Sequence, residues 1–167
     1  MDYSRHHLDD NKLRISDISD DFECDYRDDD YENDNNILKK MGSVNDALIS
    51  LGADVDPKEY CFNGLIMYTT EDPIIVAIDA GRRCCEKFGV YCEYPINTTK
   101  TDFIGAVITN VIWGKDIRDS ETEYNSTEII IETSRGSFSI IVYNEHNGYY
   151  SHQVYAVFNK LITRFKL

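Results

Sequence analysis

The sequence predicts an α+β domain: a single antiparallel β-sheet of about five to six strands with one or two short helices, behind a disordered acidic N-terminal tail. Three observations predict it. Apolar, β-branched runs recur between polar turn signals, as at 74–78, 103–113 and 128–143. One stretch, Val44, Ala47, Leu48 and Leu51, is instead spaced for a helix face. The first 36 residues are rich in Asp and Asn and poor in apolar residues.

The tail, 1–36, holds thirteen Asp/Glu against four Lys/Arg, or −9. Residues 37–167 hold the other seventeen against thirteen, or −4, completing the net charge of −13. Leu8, Leu13, Ile15, Ile18 and Phe22 are the tail's spaced apolar residues, too sparse to predict a core. The run Asp28 to Asp34 does not make an EF-hand loop, because Asn33 and Lys39 stand where Gly and Glu are required. Residues 37–167 are long enough for one domain with a core of its own.

Within that domain, 37–56 predicts a short helix, with Ser43 as N-cap, Asp46 near its positive end and Gly52 as its stop. Two strands follow, 65–69 and 74–78, joined by the turn Thr70-Glu71-Asp72-Pro73. Cys84, Cys85 and Phe88 predict one helical turn ending at Gly89, then a short extended piece to Tyr94. Residues 96–102 form a polar loop, 103–113 a strand buried on both faces, and 114–126 a charged surface loop. Residues 128–133 and 136–143 are a hairpin about Gly136. The last strand is 152–158, with a short helical or irregular end after it.

The candidate contact surface is the segment after the hairpin: His146, Asn147, Gly148, Tyr149, Tyr150 and His152. Asn147-Gly148 is the dipeptide of a type I′ hairpin turn, which by itself accounts for part of the pattern. Tyrosine is rich in protein interfaces, which makes the pair a recognition candidate. Cys84 and Cys85 are the other candidates. Adjacent cysteines point apart and no CxxC occurs, so buried thiols are the plain expectation, with no metal and no cofactor. A composite metal site, or a thiolate with an imidazole base, requires the fold to bring Cys84 or Cys85 to His146 or His152, with Asn147 or Glu145 as orienter. No catalytic signature surrounds them, so no catalytic residue is assigned.

The acidic balance speaks against nucleic acid, which needs a cationic surface. No run reaches the roughly 18 apolar residues of a membrane span, so no membrane partner is expected. MDYSRHHLDD has no apolar signal region, so the protein is not expected to be secreted. Five cysteines, an odd count, suit a reducing compartment.

The order of Ile74 to Ile78, Cys84-Cys85-Glu86, Ile104 to Trp113, Thr133 to Phe138 (T-x-x-G-x-F) and Asn147-Gly148-Tyr149-Tyr150 resembles a small uncharacterised domain of phages and large DNA viruses. The Asn, Asp, Ile and Tyr content resembles proteins of giant amoebal, mimivirus-like viruses. The resemblance covers about 63–158 and implies a fold and a viral setting, the host cytoplasm or the virion, but no activity. The functional expectation is a non-enzymatic module that binds a protein partner, host or viral. The alternatives are a small thiol- or metal-dependent enzyme built on Cys84/Cys85 and His146/His152, and a minor structural component of the virion.

Overall fold

Strand-forming runs dominate the chain, and they assemble as two antiparallel sheets rather than one. The computed structural model describes residues 6–7, 13–25, 44–56, 61–81, 87–119, 124–145 and 151–167. In chain order the strands are β1 (His6–His7), β2 (Ile15–Ile18), β3 (Phe22–Asp25), β4 (Phe62–Thr69), β5 (Ile74–Asp79), β6 (Lys87–Glu93), β7 (Ile108–Asp119), β8 (Tyr124–Thr133), β9 (Gly136–Glu145), β10 (Gln153–Phe158) and β11 (Leu161–Lys166). Helix α1 covers 44–50, and α2 is the single turn Lys100–Phe103. The six-stranded sheet runs β1-β7-β8-β9-β6-β3 and the five-stranded sheet β11-β10-β5-β4-β2. Among the described residues the fold is therefore mainly β, with two small helices, and the expectation of a single sheet is corrected.

Strand composition explains the layering. β5 is buried along its whole length, because it is apolar on both faces. Ile74, Val76 and Ile78 join Leu65, Met67, Val154, Ala156 and Phe158 in the main core, together with Phe88, Val90, Val111, Ile129, Ile131, Ile140 and Val142 of the other sheet. The alternate residues Ile75 and Ala77 join Phe62, Ile66, Tyr155 and Val157 in a second core, which Val44 and Leu48 of α1 cover. The i, i+4 pair read from the sequence is thus the buried face of α1. Ser43, its expected cap, lies outside the described residues.

Several elements differ from expectation. Phe88 and Gly89 are not the end of a helical turn; they belong to β6, where Phe88 is fully buried in the main core. The strand expected at 103–113 begins only at Ile108, because Phe103 closes α2 and Gly105 turns at a φ of 81°. The loop expected at 114–126 is mostly strand: β7 runs on to Asp119 and β8 starts at Tyr124. A register shift between Trp113 and Asp116 breaks the alternation there, which hides the strand from a period-2 reading. The hairpin of β8 and β9 turns at Gly136, φ 118°, as expected. After β10 the chain is neither helical nor irregular: Asn159 and Lys160, at φ 45° and 63°, form a two-residue turn into β11.

The largest change concerns the expected tail. Leu13, Ile15, Ile18, Phe22 and Cys24 are buried in the main core. β2 pairs with β4 of the five-stranded sheet, and β3 pairs with β6 of the six-stranded sheet. Residues 19–21 make the crossing. Ser19 N–H donates to Ile66 O, and Ile66 N–H donates to Ser19 Oγ; Asp21 Oδ1 accepts the Cys92 N–H at 2.9 Å. Just before β2, Ile108 N–H donates to Leu13 O and Thr70 N–H to Arg14 O, tying the entry to both sheets. The segment looked too sparse because it supplies few residues of its own; it completes a core made mostly by others.

Burying Ile15, Ile18 and Phe22 is worth roughly 5–9 kcal/mol at about 1.5–3 kcal/mol each, comparable with the whole stability of a domain, about 5–15 kcal/mol. A chain starting at residue 37 should lose cooperative unfolding. Urea titration followed by circular dichroism checks this; a sharp transition at the full-length midpoint would contradict it.

Candidate functional site

Of the sequence candidates, His152 is described, and His146, Asn147, Gly148, Tyr149, Tyr150, Cys84 and Cys85 lie outside the described residues. His152 is 1% exposed and is no part of an open surface. Its backbone exchanges both hydrogen bonds with Leu167, its Nδ1 lies on Asp79 O, and its ring lies 4.5 Å from Phe88. A carbonyl can only accept, so Nδ1 carries a proton and donates. His152 thereby joins the end of β5, the start of β6 and the last residue of the chain. β9 and β10 belong to different sheets, so they do not pair as the two arms of a hairpin; the expected turn at Asn147-Gly148 itself lies outside the described residues. Lys87 faces Glu145 across β6 and β9, so 82–86 and 146–150 attach at the same end of neighbouring strands.

Among the described residues no group of three or more His, Cys, Asp or Glu has the arrangement of a metal site. A cleft of about 200 Å³ lies beside the sheet crossing, lined by Ser19, Asp20, Asp21, Tyr94, Thr98, Thr99 and Lys100. That is below the ≈ 300–1,000 Å³ usual for a ligand pocket. Behind it, burial pushes the Cys92 thiol up to about 12. The Tyr94 hydroxyl bonded to it pulls the other way, Asp21 adds to the rise and Lys100 opposes it. A thiol so held is protonated at neutral pH and is no nucleophile.

The richest surface is the outer face of the six-stranded sheet, which sequence reasoning missed. Side chains alternate along a strand, so Phe88, Val90 and Cys92 point into the core while Tyr91 and Glu93 point out. The same alternation turns Tyr143 of β9 and Tyr124 of β8 outward. Tyr143 is the centre of the group. It is paired with Gly89, which has no side chain to obstruct its ring; a Cβ there would also run into Phe22 O. The Tyr143 hydroxyl donates to Glu23 Oε1 of β3 at 3.1 Å. The Tyr124 ring stacks at 6.1 Å from it and the Tyr91 ring meets it edge-on at 5.8 Å. Tyr143 is enclosed, while Tyr91 and Tyr124 stay partly open to solvent.

The groups that shift the phenols at the centre of this face are acidic. Burial raises the Tyr143 phenol above its ordinary value, and the Glu23 charge and its hydrogen bond raise it further. Tyr91 is raised by burial and then by Tyr124, Glu93, Glu23 and Asp21, all acidic groups. Neither of these two phenols is therefore activated for acid–base chemistry near neutrality. What it offers is aromatic area with carboxylates around it.

The family profile described as Domain of unknown function (DUF7448) matches residues 37–156, more than two thirds of the chain. The chain belongs to the DUF7448 family. Comparison with curated proteins and with solved structures gives no match. In this DUF7448 protein the matched span holds Tyr91, Tyr124 and Tyr143, whereas Glu23 and the strands β2, β3 and β11 lie outside it.

The Tyr143 shift fixes a pH dependence. A phenol whose folded pKa is raised contributes stability that is fully present below its unfolded pKa of about 10 and is lost as pH rises above it. Tyr143→Phe should therefore flatten the fall in stability above about pH 10, while costing stability at pH 7 through the lost bond to Glu23. Thermal melts from neutral to alkaline pH check this; parallel pH profiles for the two proteins would contradict it.

Proposed function

We propose that this DUF7448 protein is a non-enzymatic module that binds a protein partner, and that the outer face of the six-stranded sheet is its contact surface. What supports the reading is the tyrosine group on that face: Tyr91 and Tyr124 partly exposed about an enclosed Tyr143. Tyrosine presents a large, stiff, amphipathic surface and is enriched where proteins bind one another. The acidic chain does not suit a polyphosphate backbone, so the partner is a protein rather than nucleic acid. The viral setting inferred from the sequence pattern belongs to the same proposal: a virus-encoded protein acting in the host cytoplasm or carried in the virion. Tyr149 and Tyr150 are the rival contact surface.

A second reading, a thiol- or metal-dependent enzyme, draws on one observation. The segments carrying Cys84-Cys85 and His146 attach at the same end of neighbouring strands. With His152 enclosed, His146 is the imidazole that reading uses.

Affinity capture from host lysate tests the proposal. The partner held by the wild-type protein should be lost with Tyr91→Ala. Its loss with the Tyr149→Ala, Tyr150→Ala variant instead would move the contact to the loop. Retention by all folded variants would end the binding reading for both surfaces.

A further inference from the structure

The outer face of the six-stranded sheet has a chemistry that selects among partners, and this inference rests on the binding reading above. Three side chains face outward from three neighbouring strands: Tyr124 on β8, Tyr143 on β9 and Tyr91 on β6. Carboxylates frame them. Glu23 is bonded to Tyr143 from β3, Glu93 lies two residues along β6 from Tyr91, and Asp21 lies just before β3. Glu23, Glu93 and Asp21 are all exposed. On the same face Lys87 stands opposite Glu145, so this cation has an acidic neighbour in register.

Aromatic faces are electron-rich, and a cation held over them gains more where carboxylates lie alongside. A neutral partner would cover those carboxylates without balancing their charge, and an anionic one would be repelled. The same kind of contact occurs within the chain: the Arg164 guanidinium lies 5.6 Å from the centre of the Tyr155 ring. We propose that the Tyr91, Tyr124 and Tyr143 face, framed by Glu23, Glu93 and Asp21, binds an arginine- or lysine-bearing segment of a partner protein. Tyr91, partly open and two residues along β6 from Glu93, receives the cation. Tyr143 is enclosed and positions the group by holding Glu23. The chain's net charge of −13 steers a basic segment toward the protein, and the tyrosines give it a place to settle.

Labelled hexa-arginine is the probe, followed by fluorescence anisotropy at about 0.15 M salt, where long-range attraction is screened. Wild-type protein should bind it and should not bind hexaglutamate. Tyr91→Ala should weaken binding about three- to tenfold, and Tyr91→Phe should stay within about twofold, since the ring and not the hydroxyl makes the contact. Glu93→Gln, a surface change that leaves the core intact, should also weaken it. Equal binding by wild type and a folded Tyr91→Ala would overturn the proposal, because only diffuse charge would then be at work; so would no binding at all by the wild type. If hexa-arginine fails while Tyr91→Ala still abolishes capture of the partner, the face is a binding surface and its cation preference is wrong. If capture too is indifferent to Tyr91, the binding reading of this face falls with it.

Discussion

The structure hangs on a crossing three residues long. Ser19, Asp20 and Asp21 carry the chain from the five-stranded sheet to the six-stranded one, and the strands on either side pair with both. Two sheets packed face to face are held mainly by the apolar surface between them, and nothing covalent need join their edges. Here the edge is joined. Ser19 is bonded to β4 and Asp21 to β6, so the sheets cannot separate on that side without breaking hydrogen bonds to both. Phe22 and Cys24 then enter the core as alternate residues of β3. The pairing is distant in sequence, since β2 and β3 meet strands that follow them by some forty residues or more. Contacts of that kind pay loop-closure entropy before they return it. The first strands of the chain are thus placed to be completed late, after β4 and β6 exist to receive them.

Much of the fold was legible because its periodicities are local. α1, β4, β5, the β8–β9 hairpin and β10 each show their pattern within a few residues. What failed to show was set from a distance. Ile15, Ile18 and Phe22 look stranded among acids, and only the half-built cavity between the sheets makes them core. Phe88 reads as part of a helical turn with Cys84 and Cys85, yet a place beside β9 puts it in a strand. β11 was missed because Asn159 and Lys160 take left-handed conformations without glycine, so the turn lacks its usual mark. The count of sheets was also out of reach, since antiparallel strands read alike whichever sheet they join.

The site was less legible than the fold, for a related reason. Attention to His146, Tyr149 and Tyr150 followed from unusual residues close together in sequence. Tyr91, Tyr124 and Tyr143 are scattered, and each alone is an ordinary strand residue. Register brings them together, and register is a property of pairs of strands. Gly89 is the one local clue: a glycine inside an apolar run signals close approach of something else, here the ring of Tyr143 and the carbonyl of Phe22.

Opposite the Ser19–Asp21 crossing, the sandwich closes differently. Trp113 of β7 stands edge-on between Phe158 of β10 and Phe165 of β11, at 6.2 and 5.4 Å, and Arg118 reaches Lys166 O from the same strand. This is the chain's one tryptophan, and it lies where the two sheets meet rather than within either. Its emission therefore reports on the docking of sheet against sheet at that seam, and is blind to the formation of each sheet by itself. Set against a far-ultraviolet signal that counts strands, it gives the molecule its own means of telling assembled layers from layers that have merely formed.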